Sequence, residues 1–377
     1  MVGALALVQT AGAAEAAQDY SSDKKAAEEP KPAKEEVKPQ YKHGEILIPA
    51  SSADEATRPT VAPELAEAYL RDGALAWSRD RSCVACHTTG TYLVTRPSLT
   101  AQMGRPLDEI RDLYVAQLRK KETTARDLLQ KSTQPGQVVY IAAGLAEWDV
   151  HVTKRLSPET GEALALMLEI QLPEGGWANP PCWPPFESDA YHLATQAAMA
   201  LAAAPDWVAQ ANESQRASIN RLKAYLRNTP LPHDYARTLL LWAAARMPDL
   251  ITAEKKDELI AMLSRHQRTD GGWSIRTFAE PEAWGNGLRA ERLRTEPDFA
   301  SPASDGHQTG LAIVVLREAG VPMTDPRIRR GIAWLKENQR ESGRWWTRSL
   351  NTDKQHFINY SGTAYPLMAL ALCGELG

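Results

Sequence analysis

Three copies of one short pattern, Gln-x-x-x-Gly-x-Trp, constrain this chain more than any other feature: QLPEGGW at 171–177, QRTDGGW at 267–273 and QRESGRW at 339–345. Each copy ends a helix-periodic stretch, turns on glycine and presents an indole. A glutamine amide in that place reaches exposed backbone at a helix end, and the indole lies against a neighbouring helix. After each turn comes a more apolar, small-residue helix: SDAYHLATQAAMALAAAP from Ser188, SDGHQTGLAIVVLREAGVP from Ser304 and INYSGTAYPLMALALCGEL from Ile358. From Pro63 onward apolar residues recur at three and four, as in ELAEAYLRDGALAW, and strand-like alternation is scarce. Polar-faced and apolar helices alternate in pairs beginning near residues 63, 106, 157, 214, 252 and 325. One such hairpin leaves an apolar face bare, whereas six closed into a ring leave none, with the apolar helices inside. The expected fold is therefore all-α, an (α/α)6 toroid of six helical hairpins over residues 63–377, preceded by a disordered N-terminal tether.

The residues before 63 are of another kind. Residues 1–18, with MVGALALVQTAGAAEA and its Ala-x-Ala-like sites, read as the remnant of a signal peptide without its basic start. Such a start implies a periplasmic or otherwise exported protein. Residues 19–62 are rich in Lys, Glu, Pro and Ala and read as a disordered linker, because so few large apolar side chains cannot offset chain entropy. No stretch has the apolar length of a transmembrane span. A formal net charge of -4 offers no basic surface for nucleic acid. Four cysteines, two of them in one local motif, are too few for a disulfide scaffold.

The Gln-Trp turns resemble the QW repeats of squalene and oxidosqualene cyclases and related prenyltransferase-like proteins. The resemblance runs over about residues 63–377, is strongest after 157, and implies a single toroid where full triterpene cyclases have two. Class II members of that family carry Asp-x-Asp-Asp-Thr-Ala at the start of an inner helix, and the middle aspartic acid protonates the substrate. Here the matching stretch is SDGHQTG. Asp305 stands at the first aspartate, His307 at the proton donor, Gln308 at the next position and Thr309 at the threonine. Histidine is a weaker acid than a strained carboxylic acid, so the resemblance does not extend to class II cyclisation.

Aligning DGALAWSRDRSCVACH with RRGIAWLKENQRESGRW puts Gly73 near Gly331 and Trp77 on Trp334. The first repeat then has Cys83-Val-Ala-Cys86-His87 where the others have their turn, at the rim and leading into an inner helix from about Thr91. Cys-x-x-Cys-His is the attachment pattern of c-type haem. The two thiols reach the two vinyl groups on one porphyrin edge, and His87 becomes the proximal iron ligand. Zinc is the weaker metal alternative, since adjacent Cys86 and His87 share one ion poorly and a fourth ligand is needed. A redox disulfide between Cys83 and Cys86 is another reading, and two small residues in a rim loop a further one.

Candidate distal ligands are His192, His307, His233 and Met103. Arg79, Arg81 and Arg96 are candidate partners for propionates. WANPPCWPPF at 177–186 is a stiff apolar loop that caps the opening or packs on the ring, with Cys182 inside it. Cys373 belongs to the core, and residues 278–303 are an insertion that shapes the binding face. Two functions are compatible with this reading. One is an exported haem protein in electron transfer, with a redox partner protein, or in redox chemistry on a small molecule. The other is a haem-free toroid that binds an isoprenoid or a protein. A degenerate terpene cyclase is a third.

Overall fold

The structure is a computed structural model that describes residues 38–180, 183–186 and 190–376. The signal-peptide remnant, the tether up to residue 37, Cys182, Ser188 and Asp189 lie outside the described residues. Among those described, twelve helices build the ring in alternation. The outer ones are α1 (Pro63–Arg81), α3 (Asp108–Glu122), α5 (Pro158–Glu169), α7 (Glu213–Asn228), α9 (Ala253–His266) and α11 (Pro326–Asn338). The inner ones are α2 (Thr91–Thr95), α4 (Gln134–Trp148), α6 (Ala190–Ala202), α8 (Asp234–Arg246), α10 (Gly306–Glu318) and α12 (Ser361–Leu372). Each inner helix packs on the next, and α12 returns to α2, so the expected (α/α)6 toroid closes.

Patterning explains the two layers. In α10 every residue from Gly306 to Leu316 is buried, and α12 is buried from Ser361 to Leu370. Outer helices bury one stripe, as α11 does with Ile328, Gly331, Ile332, Trp334 and Leu335. Starts are set locally. Asn212 and Gln215 form a capping box before α7, Thr252 caps α9 and Asp325 caps α11.

The Gln-Trp turns stitch outer helix to outer helix. Trp177, Trp273 and Trp345 donate Nε1–H to the carbonyls of Met167, Leu263 and Leu335, at 2.9, 2.8 and 2.8 Å. Each indole thus hydrogen-bonds back to the helix it follows, while the ring also reaches the next helix, as Trp273 does at Gly331 of α11. Each glutamine amide bridges instead. Gln171 donates to Gly175 and Ser218, Gln267 to Gly271 and Arg327, and Gln339 to Gly343 and Ala62. The last of these joins the end of α11 to the start of α1, and Ala62 N–H donates back to Gln339 Oε1 at 2.7 Å. The glycine is needed because the backbone of the next helix lies against it. At Gly175 (φ +104°) a Cβ would fall 2.4 Å from Arg221 O.

The described part of the expected linker is ordered. Residues 41–43 and 46–48 pair as a short antiparallel hairpin, β1 and β2, which docks on α1. Gln40 and Tyr41 are buried, and Thr57 forms a bridge with Arg340. The composition was read as disordered because Lys, Glu and Pro dominate its average. Gln40, Tyr41 and Glu55, with backbone bonds at Ala56 and Arg58, pin the segment to the ring.

Candidate functional site

The N-terminal ends of the inner helices gather at one end of the ring, which forms its mouth. Cys83 to Gly90 sit there, between α1 and α2, as the repeat alignment requires. Ser82 closes α1 in the left-handed region, and Gln117 of α3 donates to its carbonyl at 2.6 Å, a reversed version of the glutamine bridge. Residues 86–90 wind as one wide π-type turn held by hydroxyl groups. Thr91 Oγ donates to Cys86 O at 2.7 Å, Ala85 N–H to Thr89 Oγ at 3.0 Å, and Tyr114 OH to Thr89 O at 2.9 Å. Gly90 has no room for a side chain, since a Cβ would lie 2.9 Å from Tyr140 and 3.0 Å from Ala85 O.

Cys86 is buried and Cys83 half-buried. The His87 ring is fixed on several sides. Phe357 stacks on it with centroids 5.0 Å apart, Trp77 meets it edge-on at 4.7 Å, and Trp183 lies at 5.8 Å. Thr88 Oγ is 2.9 Å from its Nδ1. Burial lowers the imidazole pKa from 6.5 to about 4, so the ring is neutral near pH 7.

Of the candidate distal ligands, His192 and His307 come to the same mouth, linked by Phe186. The Phe186 ring lies 6.0 Å from His192 and 5.8 Å from His307. Trp183 and Phe186 therefore connect all three imidazoles, as a cap over the opening. His192 Nε2 pairs with Tyr140 OH at 2.9 Å. His307 has both nitrogens engaged, Nε2 with Tyr235 OH at 3.2 Å and Nδ1 with Ser361 Oγ at 2.8 Å. Its burial brings its pKa down to about 3. His233 instead caps α8, its Nδ1 accepting from Ala236 N–H at 3.0 Å. Met103 ends a short helical turn beyond α2, where its carbonyl accepts from Arg96.

The candidate propionate partners are engaged elsewhere. Arg79 forms a two-pronged pair with Glu109, Arg81 pairs with Asp80, and buried Arg96 with Glu67. Asp305, at the first aspartate of the cyclase pattern, works as the cap of α10. It accepts from Gln308 N–H at 2.9 Å and Ile275 N–H at 2.7 Å, and burial raises its pKa to about 6. The insertion between α9 and α10 is anchored by the buried Arg276–Glu296 pair, and its Trp284 packs on His233 and Tyr235.

Sequence reasoning did not find Thr88 and Tyr41, which reach His87 through hydrogen bonds, or Phe357. The only signal was the hydroxyl-rich run THR-THR-GLY-THR after His87, that is Thr88, Thr89, Gly90 and Thr91, whose use is visible only once the turn is wound.

The donor chemistry of this site fits a c-type haem. Two thiols stand at the spacing of the attachment pattern, and the imidazole beside them is neutral, with its Nδ1 in contact with Thr88 Oγ. Space is the other requirement. The cavity beside His87 measures about 20 Å³ and is walled by Trp183, Pro184, Phe186 and Phe357, and Cys86 is buried, so the site as folded has the donor set but not the room for a porphyrin. Among the described residues, no group of three or more His, Cys, Asp or Glu is placed to hold a metal ion, and the zinc reading lacks its further ligands.

Residues 235–374 match the family of squalene-hopene cyclase C-terminal domains. This stretch holds two of the three Gln-Trp turns and the Asp305 cap. Among solved structures, the chain is similar to ent-copalyl diphosphate synthase from Streptomyces platensis, at 17% identity and a TM-score of 0.46. That likeness covers 76% of this chain and 50% of the other, so the chain spans about half its length. No curated protein matches. Among the described residues no helix is long and apolar enough to cross a membrane.

Proposed function

We propose that the chain is an exported c-type haem protein on a cyclase-like toroid, working in electron transfer or in redox chemistry on a small molecule. Cys83 and Cys86 would hold the porphyrin by thioether bonds and His87 would be an iron ligand. The observation that carries this is His87 itself, a neutral imidazole fixed at Nδ1 by Thr88 and clamped by Phe357 and Trp77, directly after two cysteines at haem spacing. When bound, the haem supplies a one-electron couple whose potential depends on axial ligand, burial and hydrogen bonding. The chain's own residues fix the imidazole plane and surround it with Trp77, Phe357 and Trp183.

Class II cyclisation has little support. His307 occupies the proton donor's position yet is neutral at pH 7, and Phe186 lies against it. A second reading is a haem-free toroid that binds an isoprenoid or a protein; the small cavity beside His87 favours the absence of haem and says nothing of those ligands. One experiment separates them. The chain is made in a host with c-type maturation machinery, then examined by pyridine haemochrome spectrum and intact mass. The expected result is one haem per chain, lost in the Cys83→Ala/Cys86→Ala double variant. A folded chain with no Soret band and no added mass would overturn the haem reading and leave the haem-free one.

A further inference from the structure

We propose that residues 346–360, the strap running from the third Gln-Trp turn to α12, form an acid-opened lid over the mouth with His356 as its latch: a proton taken up by His356 releases the strap and lifts Phe357 from His87. The device does not depend on what His87 binds, so it stands or falls apart from the haem reading.

The strap lies where a lid must lie. Ser349, Asn351, Thr352, Phe357 and Ile358 form one wall of the small cavity beside His87. Phe357 stacks on His87 and meets Trp77 edge-on, with centroids 5.7 Å apart. The loop is closed on itself by one directional bond, in which Ser349 N–H donates to His356 Nδ1 at 3.2 Å. A backbone N–H only donates, so Nδ1 is an acceptor and carries no proton. A second ring proton would face that N–H and end the bond.

The backbone at the latch is strained. Gln355 and His356 both lie in the left-handed region, at φ +46° and +48°, and neither is glycine. Such a conformation persists only where its surroundings over-determine it. The surroundings are the Nδ1 bond and the His356 carbonyl, which accepts from Gln40 Nε2–H and Asn359 Nδ2–H, each at 3.0 Å, and from Asn359 N–H at 2.9 Å.

Charge sets the direction of the switch. The insertion between α9 and α10 holds Arg276 and Arg292 against the strap, where they donate to the carbonyls of Arg348 and Ser349. Asp353 accepts from Arg348 at 3.0 Å and from Arg292 at 3.4 Å. Glu296 pairs with Arg276 and Arg292 and lies 3.7 Å from Arg348. The N-terminal segment presents the neutral amide of Gln40, Trp346 meets the imidazole at 4.8 Å, and Lys354 is exposed. A proton on His356 therefore adds a cation to three guanidiniums that share two carboxylates. Burial brings the His356 pKa down to about 4; the three guanidiniums lower it further, and Asp353 opposes them. With the strap open the ring returns towards 6.5, so the open form binds the proton more tightly and gains as pH falls from 6.5 towards 4.

The test is hydrogen exchange of the full chain, read by mass spectrometry at pH 7 and pH 5 and corrected for the intrinsic rate at each pH. Protection of the strap, residues 346–360, should fall on the order of tenfold between these values, and at pH 5 it should lie below that of α4, which reports opening of the ring itself. His356→Asn keeps an acceptor near the place of Nδ1, tolerates the left-handed backbone and does not titrate. Its strap should show no such fall. Unchanged protection in the wild-type strap, a fall that His356→Asn shares, or a strap that exchanges no faster than α4 at pH 5 would overturn the lid. Should His356→Asn not fold, His356→Gln, which also accepts without titrating, takes its place under the same outcomes.

Discussion

At the scale of single residues, the mouth stores a dependence on pH. His87, His307 and His356 are buried and titrate in the folded chain near 4, 3 and 4, against 6.5 when exposed. Between those values the unfolded chain binds more protons, so their contribution is present above pH 6.5 and drains away as pH falls through the folded values. Asp305 runs the other way. Its folded pKa of about 6 exceeds 3.8, so its contribution is full below 3.8 and lost as pH rises through 6. A shift of two pKa units or more corresponds to roughly 3 kcal/mol per buried group, and three imidazoles outweigh one carboxyl group. The melting temperature should fall steadily from pH 7 to pH 4. His307→Gln should flatten that profile and Asp305→Asn should steepen it. A wild-type melting temperature constant over this range would contradict the assignment of buried neutral imidazoles. None of these partners was legible in the sequence. His192 and His307 were placed at the mouth by repeat position, but Tyr140, Tyr235 and Ser361 arrive from other helices, and periodicity gives a residue's face without naming what stands opposite.

At the scale of elements, the tightest helix contact joins α10 and α12, and it is made by what is missing. Pro366 lies inside α12 and has no N–H to give to Gly362 O, four residues earlier. That carbonyl faces Gly306, where a Cβ would fall 2.5 Å from it, and at Gly310 a Cβ would fall 2.4 Å from the nitrogen of Pro366. The two helices approach along a seam without side chains, as Cα–H to carbonyl contacts require. Because both sides of the seam are backbone, neither can yield. Gly310→Ala should cost on the order of 3 kcal/mol or more by overpacking, measured by urea unfolding, while Gly320→Ala mainly tests backbone strain, since nothing lies within 4 Å of its Cβ. Equal losses at both positions would show that the close approach at Gly310 costs no more than the backbone strain at Gly320. The elements themselves were readable. The six pairs expected near 63, 106, 157, 214, 252 and 325 begin at 63, 108, 158, 213, 253 and 326, because caps, prolines and the Gln-Trp turns mark helix ends locally. The wide turn at 86–90 was not readable, since its form depends on Tyr114 and Tyr140 pressing from α3 and α4. The docked hairpin escaped notice because two buried residues do not change the average of a polar segment.

At the scale of the whole molecule, a ring must be closed at its rim and across its floor. The rim closes through Gln339 and Ala62. At the opposite end, Arg246 of α8 reaches Glu318 of the adjacent α10 through two hydrogen bonds at 2.6 and 2.7 Å, and crosses the floor to Glu147 of α4. Trp242 Nε1–H donates to Glu318 at 2.9 Å, and the Trp242 ring also lies 5.3 Å from the guanidinium. Burial pushes the Glu147 carboxyl up, but Arg246 and His151 more than reverse this, so it stays ionised. Such a network contributes little relative to a well-packed apolar floor, yet removing one member leaves its partners buried and unpaired. Arg246→Met should therefore destabilise the chain by about 3–5 kcal/mol, with part of the loss recovered at lower pH as the carboxylates take up protons. Gln339→Ala, which removes neutral hydrogen bonds at the rim, should cost about 1–3 kcal/mol. If the floor behaves as one unit, Arg246→Met combined with Glu147→Gln and Glu318→Gln should be more stable than Arg246→Met alone. Additive losses in denaturant titrations would mean that the three side chains act separately, and that closure of the ring rests on its apolar helices and its rim.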